Sequence, residues 1–510
     1  MPRALTSRAA LDSSPAPGAR TSVVAKIVSG RRFWKWIRRS ALLIGLGTAI
    51  LFLPLRPAIH APRVAVASGA TSVTLAAGPQ YGAGPVRRWL LGGRYRVLWQ
   101  EPITVPVLDM EHFDGGLRVI REGGGMQSRT LHLRSTKGRH FLFRSVDKDL
   151  LRLIDPRLGR SLAAAVLQDQ ASASHPAGVL VAAPLQAAVG LIQSNPTFVV
   201  LPDAASLGTY GAQFSGMFGT IQEDPDDLVP PLPRGQAARV LHTEEMLPLI
   251  DASPGQRVDA RQFLTARLLD LFLNDWDRHE GQWRWSEVVT AGDTTWNPIP
   301  VDRDQAFAWY DGLLVRAARI GLPKLISFGP RYASLNGLTW NARRLDPRLL
   351  GGLSRPTWDS IASWITAQLS DSTIQAAARR MPEPYWRIEG KSLVTTLQQR
   401  RRGLREIADR FYLQLAREPE AHGTSSDEEI MVDGSTDGAL VVRIAPRDHS
   451  GIQQYARRLD PRETHAVQIF PGGGRDTIMT SGNLSTIDVI VIDSEGRRFP
   501  LKDYQQRLSQ

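Results

Sequence analysis

The chain has 510 residues, 42% apolar and 22% charged, the proportions of an ordinary folded protein with room for two or three domains or one two-lobed domain with extras. It has no cysteine, which excludes disulfide frameworks, thiolate metal sites and cysteine nucleophiles and leaves carboxylate, amide or imidazole donors, suited to Mg²⁺ or Mn²⁺. Of the net charge of +12, residues 1–40 hold a surplus of eight (nine Arg or Lys against Asp12), and no basic stripe interleaved with aromatics follows, so nucleic acid is not an expected partner.

Residues 1–33, rich in Ser, Ala, Pro and Arg, are expected to be a disordered basic N-terminus. The block Arg31 to Arg39 then precedes an apolar run over residues 41–55. That run fits a signal-peptide core, and Trp34, Trp36 and Ile37 lengthen it toward a membrane span with aromatics at the interface. We expect a signal anchor over 34–57 in preference to a peptide cleaved near Ala65 and Ala67. The positive-inside rule keeps the N-terminus cytoplasmic, so the expectation is a single pass through a bacterial inner membrane with the main domain periplasmic.

Residues 61–115 hold short β-like runs at 64–66, 71–75 and 103–107 with Gly and Pro between them, an extended lead-in to the next domain. Apolar strands over 117–120 and 130–133 flank Gly123, Gly124 and Gly125, followed by Gln127 and Ser128. Such a hairpin lets main-chain N–H groups approach phosphates, because glycine has no Cβ to collide, although most glycine hairpins are simply turns. The next strand, over 140–144, ends in Arg144, with Lys148 close behind. Either cation suits a phosphate, and the sequence does not choose between them. A helix over 162–166 carries Asp169 just beyond it, an acid placed to pair with that cation or to sit in solvent.

Strands over 198–202 and 217–221 lead to an acidic and proline-rich break near residues 223–233, the natural hinge between two lobes. Glu223 stands where a nucleotide base would be met, or in an exposed turn. A helix over 260–272 then delivers Asn274-Asp-Trp-Asp-Arg-His-Glu-Gly-Gln-Trp-Arg-Trp285 onto a loop, and a strand over 296–301 delivers Asp302 and Asp304. Two acidic clusters, each beside an arginine and about twenty residues apart, are how phosphoryl-transfer sites are often built. One carboxylate steers a hydroxyl and another holds metal on the phosphates. Trp276, Trp283 and Trp285 are expected to wall and pack the loop. Helices follow over 358–369, 373–381 and 392–415; the charge run in the last, Gln398 to Arg402, reads as a solvated face. After Pro419 come β-type runs over 440–444, 466–470, 477–480 and 487–492, a small appended β unit.

Asp277-Arg-His279 with Gln282, then a short strand and Asp302-x-Asp304-x-x-Phe307, resembles the active-site order of the atypical kinase-like superfamily. That group includes the HipA, phosphatidylinositol and secreted casein-type kinases, with D-R-H-x-x-N or close variants followed by an I-D or L-D metal motif. The fragments GGGMQS, FLFRSVDKD, QDQASASHP, DWDRHEGQWRW, PIPVDRDQAF and LQQRRRGL are similar to a bacterial envelope group whose kinase-like module often sits beside BamA-like barrels or metallophosphatase segments. The resemblance covers about residues 115–500, and its specific part is DWDRHEGQWRW with PVDRDQAF.

The resemblance implies an α+β, two-lobed protein-kinase-like fold. A β-rich N-lobe would occupy 116–225, a mainly helical C-lobe 226–420, and the β tail 421–510. It implies Mg or Mn with ATP as cofactors, and transfer of a phosphoryl or nucleotidyl group to a hydroxyl acceptor on an envelope protein, lipid or glycan. Asp277 matches the carboxylate that orients the acceptor hydroxyl, with Arg278 and His279 buttressing its loop. Asp302 matches the main metal-binding acid, Asp304 a second ligand, and Gln282 the position where kinases carry a metal-binding Asn. Gly123 to Gly125, Gln127 and Ser128 match the phosphate-covering loop. If Arg144 rather than Lys148 is the cation, an Arg replaces the usual lysine, and there is no clear Glu partner on the helix; both depart from the pattern. An inactive kinase-like scaffold is therefore the first alternative, and a metal-dependent hydrolase using the same carboxylates the second.

Overall fold

The computed structural model describes residues 63–508 apart from 124–126, 204, 232–237, 291 and 448–452. The expected basic N-terminus and signal anchor lie outside these residues, as do Gly124 and Gly125. No helix among the described residues is long and apolar enough to cross a membrane. The chain divides into two units, one containing residues 1–58 and 154–165 and the other the remainder. Of the first, the described part is a 3₁₀ turn, Pro156–Leu158, in which the Asp155 side chain accepts from Arg157 N, and the start of the helix Leu162–Asp169. The second unit holds all the remaining described elements.

Strands β1 (Ser72–Ala76) and β2 (Pro102–Pro106) pair antiparallel, and Val107 bridges to Val200. The lead-in is less extended than its sequence suggests. Residues 64–66 form no strand, and two short helices, Pro85–Leu91 and Arg96–Gln100, stand between β1 and β2.

The central sheet is antiparallel and five-stranded, formed by β3 (Leu117–Gly123), β4 (Thr130–Ser135), β5 (His140–Ser145), β6 (Thr197–Val200) and β7 (Phe218–Glu223), in the order β3-β4-β5-β7-β6. Strand alternation sorts its two faces. Leu131, Leu133, Phe141, Phe143 and Ile221 pack into one apolar core with Leu117, Val199 and Phe214. The opposite face carries two rows in register, Thr130–Arg144–Thr220 and His132–Leu142–Gln222, and these line a cleft.

Below the cleft, β8 (Val240–His242), β9 (Gln256–Val258), β10 (Trp283–Thr290) and β11 (Asp293–Pro300) form a four-stranded sheet, order β8-β10-β11-β9. It packs on the helix Ala260–Leu273, buried from Phe263 to its end, with Phe263 4.9 Å from Trp283 and 5.8 Å from Trp285. The Asp259 side chain caps that helix by accepting from Arg261 N and Gln262 N. Asn274 ends it in the left-handed region (φ 59°), which asparagine tolerates better than most residues.

The helical part has one surprise for sequence reading. A continuous helix over 392–415 is expected, but Gly403 divides it into Lys391–Arg402 and Leu404–Ala416. Its charge run is not simply a solvated face. Arg400 is fully buried, with Nε donating to Phe272 O (2.7 Å) and Nη2 to Leu271 O (2.5 Å). It closes the C-terminal end of the Ala260–Leu273 helix, where unpaired carbonyls favour a cation.

The C-terminal β unit is larger than its sequence signals. β12 (Glu420–His422), β13 (Glu428–Gly434), β14 (Leu440–Pro446), β15 (Tyr455–Leu459), β16 (Ala466–Phe470), β17 (Thr477–Ser481), β18 (Asp488–Ile492) and β19 (Arg498–Pro500) make two four-stranded sheets. Alternate residues of both, including Val432, Val442, Ile469 and Val491, share one apolar core. Arg457 and Tyr455 tie this unit to the helical part by donating to Gly351 O at 2.5 and 3.2 Å.

Candidate active site

The helix Ala260–Leu273 ends in Asn274, and its last turn holds Asp270, a buried carboxylate around which the site is built. Arg267, Arg278 and Arg303 all contact Asp270. Arg267 also grips Asp346 with two hydrogen bonds, at 2.7 and 3.0 Å. Arg303 reaches Asp275 at 3.3 Å and donates to Gln186. All of these groups lie at or below 6% exposure, so each charge depends on its neighbours for the solvation it has lost. Burial works against ionising Asp270, yet the three arginines hold its carboxyl below the usual range. Asp275 has weaker company, and burial lifts it to about 6.

Arg278 joins the two acidic motifs. Its Nη1 donates to Val301 O (2.6 Å) and its Nη2 to Gln282 O (2.8 Å), while its guanidinium lies 4.7 Å from the Trp283 ring. The loop bearing Asp277 is thereby fixed to the segment bearing Asp302. His279 is exposed, and its Nδ1 accepts from Gly281 N (3.1 Å), capping the 3₁₀ turn Glu280–Gln282. Trp283 and Trp285 are fully buried on β10 and do not face the cleft, so the loop is shorter than sequence suggests and a strand begins at Trp283.

Asp277, Asp302 and Asp304 line one cleft with Gln282 beside them, and Asp224 and Asp226 line the same cleft. Asp302 adopts φ 57°, a strained backbone for a residue with a Cβ and one that collects at functional sites. Arg144 Nη1 meets Asp302 Oδ2 at 2.5 Å, and Lys148 Nζ meets Asp304 Oδ2 at 2.7 Å. Both candidate cations thus reach the same acidic pair. The two carboxylates separate in charge preference. Burial opposes ionising Asp302, but Arg144 and Lys148 hold it down to about 2. Burial and the neighbouring Asp302 charge push Asp304 up to about 7. Asp277 Oδ1 accepts from Asn341 Nδ2 at 2.7 Å. Burial raises Asp277, against the pull of Lys148, His279 and Lys324.

Above these acids, Arg144, Thr130 and Ser128 line the cleft from the sheet, with Gln127 at its edge. The open space is about 1550 Å³, and an apolar recess behind it is lined by Val146, Val179, Ala183, Ile192 and Ile299. Gly123 ends β3 against the His132 ring: a Cβ there would lie 2.5 Å from His132 Nε2, so the ring would have to shift.

Two expected partners are elsewhere. Asp169 does not reach Arg144 or Lys148; it binds Arg96, with Nη1 at 3.0 Å, and Arg87, both from the lead-in. Its neighbour Gln168 faces the cation loop instead, donating to Lys148 O (2.6 Å) and accepting from Leu150 N (2.9 Å). Glu223 is not at the cleft. It pairs with Arg139 at 3.1 Å, because alternation along β7 sends Thr220 and Gln222 inward and turns Glu223 away. Sequence reading also missed Asn341 and the Asp270 cluster. Asn341 lies 64 residues from Asp277 in an otherwise helical stretch, with no motif to mark it.

The donor set bears on the expected metal. Among the described residues no three carboxylate or imidazole groups converge to enclose an ion. Asp302 and Asp304, with the Gln282 amide, offer two hard anions and a neutral oxygen. That suits Mg²⁺, which retains waters and takes one or two carboxylates together with substrate phosphates.

No protein-family model matches the chain, and no curated protein does. Among solved structures the chain is similar to a proinflammatory kinase of Helicobacter pylori, CtkA, at 11% identity and TM-score 0.32, over 61% of this chain and all of that one. It is also similar to the Rio2 kinase of Chaetomium thermophilum, solved with ADP, Mg²⁺ and phosphoaspartate, at 16% identity and TM-score 0.27, over 57% of this chain and 72% of that one. Likeness at this level decides nothing about chemistry, which rests on the geometry above.

Proposed function

We propose that the chain is a kinase-like phosphotransferase that moves a phosphoryl group from a nucleoside triphosphate to a hydroxyl acceptor in this cleft. The observation that supports it best is that Asp277, Asp302 and Asp304 line one cleft facing Ser128, Thr130 and Arg144, with Arg144 paired to Asp302 and Lys148 to Asp304. Asp302, Asp304 and Gln282 would hold Mg²⁺ or Mn²⁺, which neutralises charge on the phosphate oxygens when bound. Asp277, held by Asn341, orients the acceptor hydroxyl and takes its proton as the oxygen bonds to the terminal phosphorus. The bond from that phosphorus to its bridging oxygen breaks, and its electron pair leaves with the nucleoside diphosphate. Arg144 and Lys148 stabilise charge on the transferring group. Transfer from a γ-labelled nucleoside triphosphate tests this: Asp277→Ala should keep nucleotide binding and lose turnover by at least about a hundredfold. Undiminished turnover would remove Asp277 from its role.

A second reading, a kinase-like binding module without turnover, has its own support. Asp302 and Asp304 are already neutralised by Arg144 and Lys148, which must give way before a metal enters. Residues 34–57 are proposed, on sequence pattern alone, to anchor the chain with its main domain outside the cytoplasm and an envelope protein, lipid or glycan as acceptor. A compartment-sensitive reporter fused after residue 70 reads this directly, and a cytoplasmic signal would contradict it.

A further inference from the structure

One surface outside the cleft lining is unusually apolar. The helix Pro85–Leu91 and the helix Leu313–Ala318 pack on each other. Gly312 makes the contact possible, since a Cβ there would lie 2.4 Å from the Leu91 carbonyl carbon. The pair, with the turn that follows, leaves large apolar side chains in solvent: Val86 70%, Trp89 64%, Leu313 46%, Leu314 46%, Ile320 92% and Leu322 47% exposed. Val86 and Trp89 are three apart and share a helix face. Scattered exposed apolar residues are normal, but six on two packed segments exceed what solubility favours.

The same segments are basic. Residues 83–94 and 311–324 contain Arg87, Arg88, Arg94, Arg316, Arg319 and Lys324 against the single acid Asp311. Asp311 is engaged, its Oδ1 accepting from Gly93 N at 3.2 Å. Arg87 and Arg94 are tied to Asp169 and Glu389, and Arg319 to Tyr310 O and Ser327. Arg88 and Arg316 are exposed and have no carboxylate partner among the described residues.

We propose that this face docks on an anionic membrane surface, with Trp89 and Ile320 entering the headgroup region and Arg88 and Arg316 meeting lipid phosphates. The chemistry favours a bilayer over a protein groove-binder. The apolar side chains stand out from short helices and a turn, and aromatic and aliphatic tips with exposed arginines on the same short segments are what an anionic interface retains. This docking is independent of the phosphotransfer reading and of residues 34–57.

The cysteine-free sequence allows a position-specific test in the full chain. An environment-sensitive fluorophore is placed on Ile320→Cys, and separately on Ser485→Cys in the C-terminal β unit. Each labelled chain is titrated with phosphatidylglycerol/phosphatidylethanolamine vesicles and with pure phosphatidylcholine vesicles. The expected result is a blue shift at position 320 on the anionic vesicles alone, with position 485 unchanged. Adding Arg88→Glu and Arg316→Glu should weaken the response at least about tenfold. A label at 320 that stays in water while the chain sediments with vesicles would overturn the proposal, as would equal shifts at both positions or on neutral lipid.

Discussion

Asn341 donates its side-chain amide to Asp277 Oδ1 at 2.7 Å from 64 residues away. The bond fixes one carboxylate oxygen and leaves the other for the cleft. Asn341→Leu should therefore lower kcat by about ten- to a hundredfold, the effect of losing one or two well-placed hydrogen bonds, while nucleotide affinity changes little. A matched rise in nucleotide KM with unchanged kcat would assign Asn341 to binding instead. Asn341→Asp should be worse, because it places a second negative charge against Asp277.

The pH dependence follows from Asp304, which burial and Asp302 push up to about 7. An unfolded carboxylate titrates near 4. Between about 4 and about 7 the folded chain keeps a proton that the unfolded chain releases, so this group's share of stability is present at low pH and falls as pH rises toward 7. Metal binding needs the ionised form, so Mg²⁺ affinity should rise with pH through about 7, up to about tenfold per pH unit below it. Asp304→Asn should flatten that slope and weaken binding, as read by calorimetric titration at pH 6 and pH 8. Asp302, held at about 2, contributes no slope in this window.

Removing the Asp270 carboxylate takes one buried anion from three arginines at once, leaving Arg267 only Asp346, and Arg278 and Arg303 only the more distant Asp275. Asp270→Ala should cost about 3–5 kcal/mol, the usual penalty for breaking a buried ionic cluster from one side. Denaturant unfolding of wild type and variant measures it. A loss below about 1 kcal/mol would mean the cluster relaxes or admits water.

Arg400 makes hydrogen bonds to Leu271 O, Phe272 O and Gly329 O, and burial, with no carboxylate partner among the described residues, lowers it to about 10. Arg400→Met should destabilise by about 2–4 kcal/mol through orphaned carbonyls. Arg400→Lys should recover little, since one ammonium cannot span the fork. Thermal unfolding of both variants distinguishes hydrogen bonding from simple packing.

What could be read in the sequence was local. Asp277 and Asp302 are visible because each sits in a short polar motif at the end of an apolar element, and alternation marks β4 and β5. Partners supplied by distant chain were not visible. Asp169 looked like a match for Arg144, yet Arg96 of the lead-in claims it, and nothing in sequence order says that the lead-in folds back on the Leu162–Asp169 helix. Glu223 was misplaced by the parity of one strand. Arg400 sits in a charge run that patterning assigns to solvent, and only tertiary packing brings the helix end that it closes. Gly403 is a single residue, too weak a signal to break a helix by itself.

The proposed reaction requires this cleft to bind a nucleoside triphosphate together with a metal. Titrating the wild-type chain with ATP and other nucleoside triphosphates, with and without Mg²⁺ or Mn²⁺, measures that directly, with Asp302→Ala as the control. Binding that requires the metal and falls at least about tenfold in Asp302→Ala is the predicted result. No metal-dependent binding of any nucleotide by the wild-type chain would contradict it.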